Sequence, residues 1–248
     1  MQSFFGHHLH LVLELLAYFV AARMYWYFAK ADSIKPSKID RLCLLAGAVF
    51  GAALGSKGLH VLEHLPALLQ QSDAWLWLGG KSVLGGFLGG TIGVEITKKL
   101  VGWRVSTGDA WVPALASGLV LGRIGCQFSG TWDGTYGSPT ALPWAWDYGD
   151  GIGRHPTAFY EIILVLALTC VVWQYQRLRA ASGARFATFL MGYCIIRFGL
   201  EFLKPPFGLA ADGVLPVALY AGLTAIQWAA ITGVCGYFCL LKYRLNSR

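Results

Sequence analysis

Seven apolar runs, at about 8–29, 42–62, 77–97, 108–126, 157–175, 186–203 and 215–241, constrain this chain more than any other feature. Each approaches the roughly 20 residues that a helix needs to cross the hydrocarbon of a bilayer. Polar, basic or Gly/Pro-rich breaks separate them, and 248 residues then leave no room for a large soluble appendage. Composition excludes a single soluble core: only 13% of residues are charged, about half the roughly 25% of an ordinary globular domain. The 31 glycines would weaken soluble helices, whereas membrane helices use glycine to approach one another closely. The expected fold class is all-α: a polytopic membrane protein in which residues 1–248 form a single domain of seven transmembrane helices.

Charge placement predicts the orientation. Lys30, Lys35, Lys38 and Arg41 follow the first run, Lys98, Lys99 and Arg104 the third, Arg177, Arg179 and Arg185 the fifth, and Lys242, Arg244 and Arg248 close the chain. These positions fall on one side of a seven-span bundle, which the positive-inside rule makes cytoplasmic, with the N terminus outside. The net charge of +7 is then a topology signal, and no nucleic-acid partner is expected. Trp26, Trp75, Trp77, Trp103 and Trp173 stand near span ends, where indole rings favour the headgroup layer. The first residues lack a basic stretch and a small-residue cleavage site, so no removable signal peptide is expected. The six cysteines show no CxxC pair and read as packing residues, with no metal site or cofactor implied.

Residues 127–156, the longest break, are rich in Gly, Pro, Trp and Asp and read as an extracytoplasmic loop close to a site at the membrane surface. Glycines at four-residue spacing, Gly47/Gly51/Gly55 and Gly85/Gly89/Gly93, predict small faces for tight helix packing.

Ionisable residues inside spans are the strongest pointers to function. Arg123 lies at the end of the fourth run, Glu161 opens the fifth, and Arg197 and Glu201 stand four apart in the sixth. All belong to the outer half of the expected bundle, with Lys81, Glu63, His60 and His64 on the same side. Guanidinium groups at headgroup depth match a phosphate ester, which arginine grips through two parallel hydrogen bonds. Arg197 and Glu201 could also neutralise each other. Arg123 has no acid one turn away in its own helix, so its partner must come from another helix or from a ligand.

At these residues the chain resembles a known family. The strings GRIGCQFSGTWDGTYG (122–137), LPWAWDYGDGIGRHPTAFYE (142–161), GYCIIRFGLEFLKPP (192–206) and the glycine-rich GKSVLGGFLGGTIGVEITKK (80–99) are similar, in family order, to prolipoprotein diacylglyceryl transferase. The resemblance implies an enzyme of the bacterial inner membrane. Such an enzyme moves the diacylglyceryl group of phosphatidylglycerol onto the lipobox cysteine beside a prolipoprotein signal peptide and releases glycerol phosphate. Its partners would be those two substrates and membrane lipids. The resemblance also implies a catalytic set of Arg123, Arg197, Tyr193, Glu201 and His155. Arg154, Tyr160, Glu161, Gly85, Gly86, Gly122 and Gly125 would line the substrate.

The chain departs from the family pattern in a few places. Leu84 stands where the family has a histidine before Gly85-Gly86. Cys126 and Ser129 replace asparagines, and Thr131 replaces a glutamate, with a short insertion that brings Asp133. Leu84 cannot accept a proton. The thiol base would therefore be His155, His60 or His64, or thiolate formation would rest on the arginine field, or the reaction would differ. Two alternatives follow: a related phospholipid-dependent transferase with another acceptor, and a lipid-binding membrane protein without catalysis.

Overall fold

The structure, a computed structural model, describes residues 2–30, 36–70, 77, 79–131, 134–175, 181–205 and 215–246, with side chains from residue 8 onward. Lys35, Trp75, Asp133, Arg177, Arg179 and Arg248 lie outside the described residues, as does the side chain of His7.

Among the described residues, seven long helices account for the apolar runs: α1 (Gln2–Ala29), α2 (Lys38–Leu69), α3 (Val83–Val101), α4 (Trp111–Phe128), α5 (Thr157–Gln174), α6 (Ala184–Glu201) and α7 (Ala225–Asn246). Four of them, α1, α2, α5 and α7, are long and apolar enough to cross a membrane. Their outward faces stay apolar without being covered: Leu15, Phe19, Val49, Phe50, Ile163 and Phe238 are all exposed. The chain is a multi-pass membrane protein, since such faces are tolerated only where lipid covers them. α6 carries Arg185, Arg197 and Glu201, and most of its buried residues face the other helices.

Local chemistry sets the helix ends. Ser37 starts α2 by accepting the Asp40 amide at 3.1 Å, and Ser82 starts α3 by accepting the Gly85 amide at 3.3 Å. Both side chains satisfy donors that a helix start leaves open. Gly102, at φ 73°, closes α3 in the left-handed conformation that suits glycine. α6 is capped from a distance: Asp109 accepts the Gly183 amide at 2.7 Å and the Phe186 amide at 2.9 Å.

The helices pair as α1 with α4, α2 with α3 and α6 with α7, while α5 bridges α4 and α6. The α2–α3 seam consists of the spaced glycines. A Cβ on Gly51 would strike the carbonyl oxygen of Gly89, one on Gly55 that of Gly85, and one on Gly93 that of Gly47. The backbones themselves are in contact, the packing that the glycine spacing predicts. The apolar core runs through Leu59, Leu84, Val112, Val165, Phe189, Leu190, Tyr193 and Ile226.

The seventh helix departs from its apolar run. It begins at Ala225, ten residues after the run starts, because β3 (Leu219–Tyr220) and β4 (Leu223–Thr224) form a tight antiparallel hairpin. Ala221 at φ 50° and Gly222 at φ 82° make its two-residue turn, a conformation matched to strand twist. Hydropathy alone cannot separate such a turn from a helix start. The Ala218 amide donates to the Glu63 carbonyl at 2.7 Å, and the Tyr220 hydroxyl to the Leu62 carbonyl at 2.6 Å, so the hairpin docks on the end of α2.

A second hairpin orders the long break between α4 and α5. β1 (Trp146–Asp147) pairs with β2 (Gly153–Arg154), and one Asp147 carboxylate oxygen accepts the amides of Gly149, Asp150 and Gly151. The ends of α2, α4 and α6 and the starts of α3, α5 and α7 gather at this end of the bundle, called here the loop end. At the opposite end Arg41 lies 5.4 Å from the Trp26 ring and Arg185 4.3 Å from the Trp173 ring.

Candidate active site

Near the loop end, one carboxylate joins three helices. Glu161, in the first turns of α5, is 2% exposed. Its Oε1 accepts from the Tyr193 hydroxyl of α6 at 2.8 Å and pairs with Arg123 Nε of α4 at 3.0 Å. Its Oε2 pairs with Arg197 Nη1 of α6 at 3.3 Å, and Arg197 Nη2 continues to Glu201 Oε2 at 2.9 Å. The line Arg123–Glu161–Arg197–Glu201 alternates charge and sums to zero, which is how an ionic group can persist in a low-dielectric interior. Tyr193, itself fully buried, is packed edge-on against Phe87 of α3 at 5.1 Å.

The two arginines are held differently. Arg197 spends both terminal nitrogens on carboxylates. Arg123 turns its Nε to Glu161, while Nη1 makes a long contact of 3.8 Å to the Cys126 sulfur. Its terminal nitrogens therefore keep donor capacity for an incoming anion.

The structure brings together Arg123, Glu161, Tyr193, Arg197 and Glu201 from the sequence-derived set, and places the others elsewhere. His155 is half-buried in the loop, with Nδ1 3.4 Å from the Tyr160 hydroxyl, which also accepts from Trp144 Nε1 at 2.8 Å. Arg154 is 1% exposed and anchors the loop: Nη1 donates to Asp150 at 2.6 Å, and the guanidinium sits 4.8 Å from the Tyr136 ring. Asp150 is held below the ordinary carboxylate range by its hydrogen bond from Arg154. Gly85 lies in the α2–α3 seam, and a Cβ on Gly86 would meet Ala52 and Ser56 only at ordinary contact distance. Gly125 faces His10 of α1, whereas a Cβ on Gly122 would meet nothing within 4 Å.

Leu84 is 1% exposed and belongs to the apolar core with Leu59 and Tyr193. A packing residue thus occupies the position where the family places a histidine. His60 and His64 lie side by side on α2 with tilted rings whose centroids are 4.8 Å apart, and His64 Nδ1 lies 3.0 Å from the Pro216 carbonyl. Glu63 Oε2 is 3.9 Å from His64 Nε2.

Sequence reasoning passed over Gln127, one helical turn beyond Arg123 on α4. Its Oε1 accepts from the Tyr148 hydroxyl at 3.2 Å, and its Nε2 is buried with no hydrogen-bond partner among the described residues. The four-residue spacing from Arg123 was the available signal.

Comparison with known proteins agrees with the motifs. Residues 6–243 match the family described as prolipoprotein diacylglyceryl transferase. A phosphatidylglycerol–prolipoprotein diacylglyceryl transferase of Bordetella parapertussis is 35% identical over 200 residues, covering 76% of this chain and 71% of the relative. Proteins of the same name from Nitrosomonas europaea and an Azoarcus species are each 32% identical. They cover 81% and 83% of this chain, and 72% and 78% of their own lengths.

Proposed function

Because this chain belongs to the prolipoprotein diacylglyceryl transferase family, we propose that it carries out the reaction its relatives are named for. It transfers the diacylglyceryl group of phosphatidylglycerol to the lipobox cysteine of a prolipoprotein. The comparisons do not favour transfer to another acceptor or lipid binding without catalysis. The observation that carries the site assignment is the buried Glu161 carboxylate shared by Arg123, Arg197 and Tyr193.

The chemistry asks for such a network. The acceptor sulfur attacks the glycerol carbon that bears the phosphate, the C–O bond breaks, and glycerol phosphate leaves with the electron pair. Negative charge grows on the departing oxygen. Donors fixed in advance in a dry site stabilise that charge without reorganising, and one such donor is commonly worth a factor of about 10² to 10³ in rate. Glu161, itself held by the Tyr193 hydroxyl, keeps the guanidinium groups in place before substrate arrives, and the open nitrogens of Arg123 point to it as the first arginine to meet the phosphate. Glu201 holds the far side of Arg197. The acceptor thiol, with an ordinary pKa near about 8.5, must lose its proton to attack. His155, at the mouth of α5, is the proton acceptor to test.

In this reading all seven helices span the bacterial inner membrane, the N terminus and the 127–156 loop lie outside, and the basic end faces the cytoplasm. Phosphatidylglycerol reaches the loop end from the outer leaflet, and the signal peptide of the prolipoprotein docks from within the bilayer.

Purified protein in phosphatidylglycerol vesicles, given a lipobox peptide, should yield a peptide heavier by one diacylglyceryl group together with an equal amount of glycerol phosphate. Glycerol phosphate with an unmodified peptide, or neither product, overturns the assignment.

A further inference from the structure

The network described above is electrically complete: two guanidinium groups face two carboxylates. A net positive charge for a lipid phosphate must therefore come from another group. Lys204 stands seven residues beyond Arg197, just past the end of α6, in a turn where its amide donates to the Glu201 carbonyl at 3.2 Å. The loop between α4 and α5 docks at the same place, since the Ser138 amide donates to the Leu203 carbonyl at 2.7 Å and the Ser138 hydroxyl to the same oxygen at 3.1 Å.

Lys204 is half-buried, and among the described residues its ammonium makes neither an ion pair nor a hydrogen bond. Its surroundings do not favour a lone cation. Burial first, and then the charge of Arg197, hold its ammonium below the ordinary lysine range; Arg123 acts in the same sense, while Glu201 and Glu63 oppose it. Glu201 is already engaged by Arg197, and the Glu63 carboxylate lies toward His64. Lys204 thus stands three residues beyond Glu201 at the loop end of the network, and its ammonium lacks a counter-ion in contact among the described residues. An arriving phosphodiester would supply that counter-ion and gain a charge-assisted hydrogen bond.

We propose that Lys204 binds the phosphate of the anionic lipid donor at the Glu201 end of the network and so selects a charged headgroup over a neutral lipid. The proposal deepens the phospholipid-transfer reading and rests on it for the identity of the ligand. The alternative is that the lysine only extends its ammonium to the water at the membrane surface.

A binding ratio separates the two. Phosphatidylglycerol and a diacylglycerol with the same acyl chains are titrated into the purified full chain in detergent micelles, for the wild type and for Lys204→Met and Lys204→Arg. The preference for phosphatidylglycerol should fall about tenfold in Lys204→Met, the effect of losing one hydrogen bond between charged groups. It should stay within about twofold of wild type in Lys204→Arg, which keeps the charge. An unchanged ratio in Lys204→Met overturns the proposal, as does a wild type with no preference for the charged lipid. If Lys204→Met binds neither lipid, Lys204→Gln is judged by the same ratio. The ratio requires no turnover, so absence of transfer by the wild type would count against the transferase reading while this comparison still decides the role of Lys204.

Discussion

The bundle contains two helix seams built on opposite principles. Between α2 and α3, glycines oppose glycines and the contact is backbone on backbone. Among α4, α5 and α6, charged side chains reach across at Glu161. The first seam makes good use of a bilayer, where close packing joins helices that have no hydrophobic drive to associate. The second stabilises the bundle less than an apolar seam of the same volume would, because burying charge sets desolvation against attraction. Its persistence marks function, and the two seams should fail differently.

The largest effect should come from Glu161→Ala. It leaves Arg123 without a carboxylate and Arg197 with only Glu201, and stranding a buried charge costs about 3–5 kcal/mol. Thermal unfolding in detergent should show the loss, and diacylglyceryl transfer should disappear with it. A variant that melts like wild type would show that the carboxylate is not the hub of the site.

Gly89→Leu attacks the other seam. Its side chain would have to displace the Gly51 carbonyl, and overpacking of this kind costs about 1–3 kcal/mol or more. The variant should melt earlier and accumulate less in membranes. Whatever folded fraction remains should keep a near-normal turnover number, because no charged contact has changed. Turnover that falls in step with the Glu161 variant would erase the distinction between the seams.

Leu84→His brings polarity into the space between them. The site is 1% exposed and apolar, so an unpaired imidazole there should cost about 1–3 kcal/mol. A gain in transfer rate despite the lower melting point would mean that the native protein lacks an effective base. An unchanged or lower rate would place thiolate formation on the residues already present.

The smallest effect concerns the loop. Hydrogen bonding to Arg154 lowers the folded pKa of Asp150, so its contribution is present above the ordinary aspartate value and is lost as pH falls through the lowered one. Protection of residues 134–155 from proteolysis should decline below about pH 4. Asp150→Asn should weaken it at neutral pH by less than about 1 kcal/mol, the range of exposed ion pairs.

What the sequence made legible follows the same division. Apolar runs locate helices wherever hydropathy is continuous, and the glycine spacing foretells the α2–α3 seam because helix geometry repeats locally. The start of α7 was hidden, since the Ala221–Gly222 turn lies inside apolar sequence. Arg197 and Glu201 were readable as an i,i+4 pair. The partner of Arg123 was not, because Glu161 lies in another helix and no local rule links the two. Glu161 was expected to line the substrate, and the structure shows its carboxylate paired with both arginines and with the Tyr193 hydroxyl. Gln127 and Lys204 gave only spacing as a signal, and their interest arises from what surrounds them in the folded chain.

The central claim is that Arg123 supplies charge to the departing phosphate while Glu161 retains other partners. The most direct test is the single-turnover rate of diacylglyceryl transfer to a lipobox peptide for Arg123→Gln, with the melting temperature measured on the same sample. The account predicts a rate at least about 100-fold below wild type in a protein that still folds, since Arg197 and Tyr193 continue to hold Glu161. A folded Arg123→Gln protein transferring at the wild-type rate would contradict it.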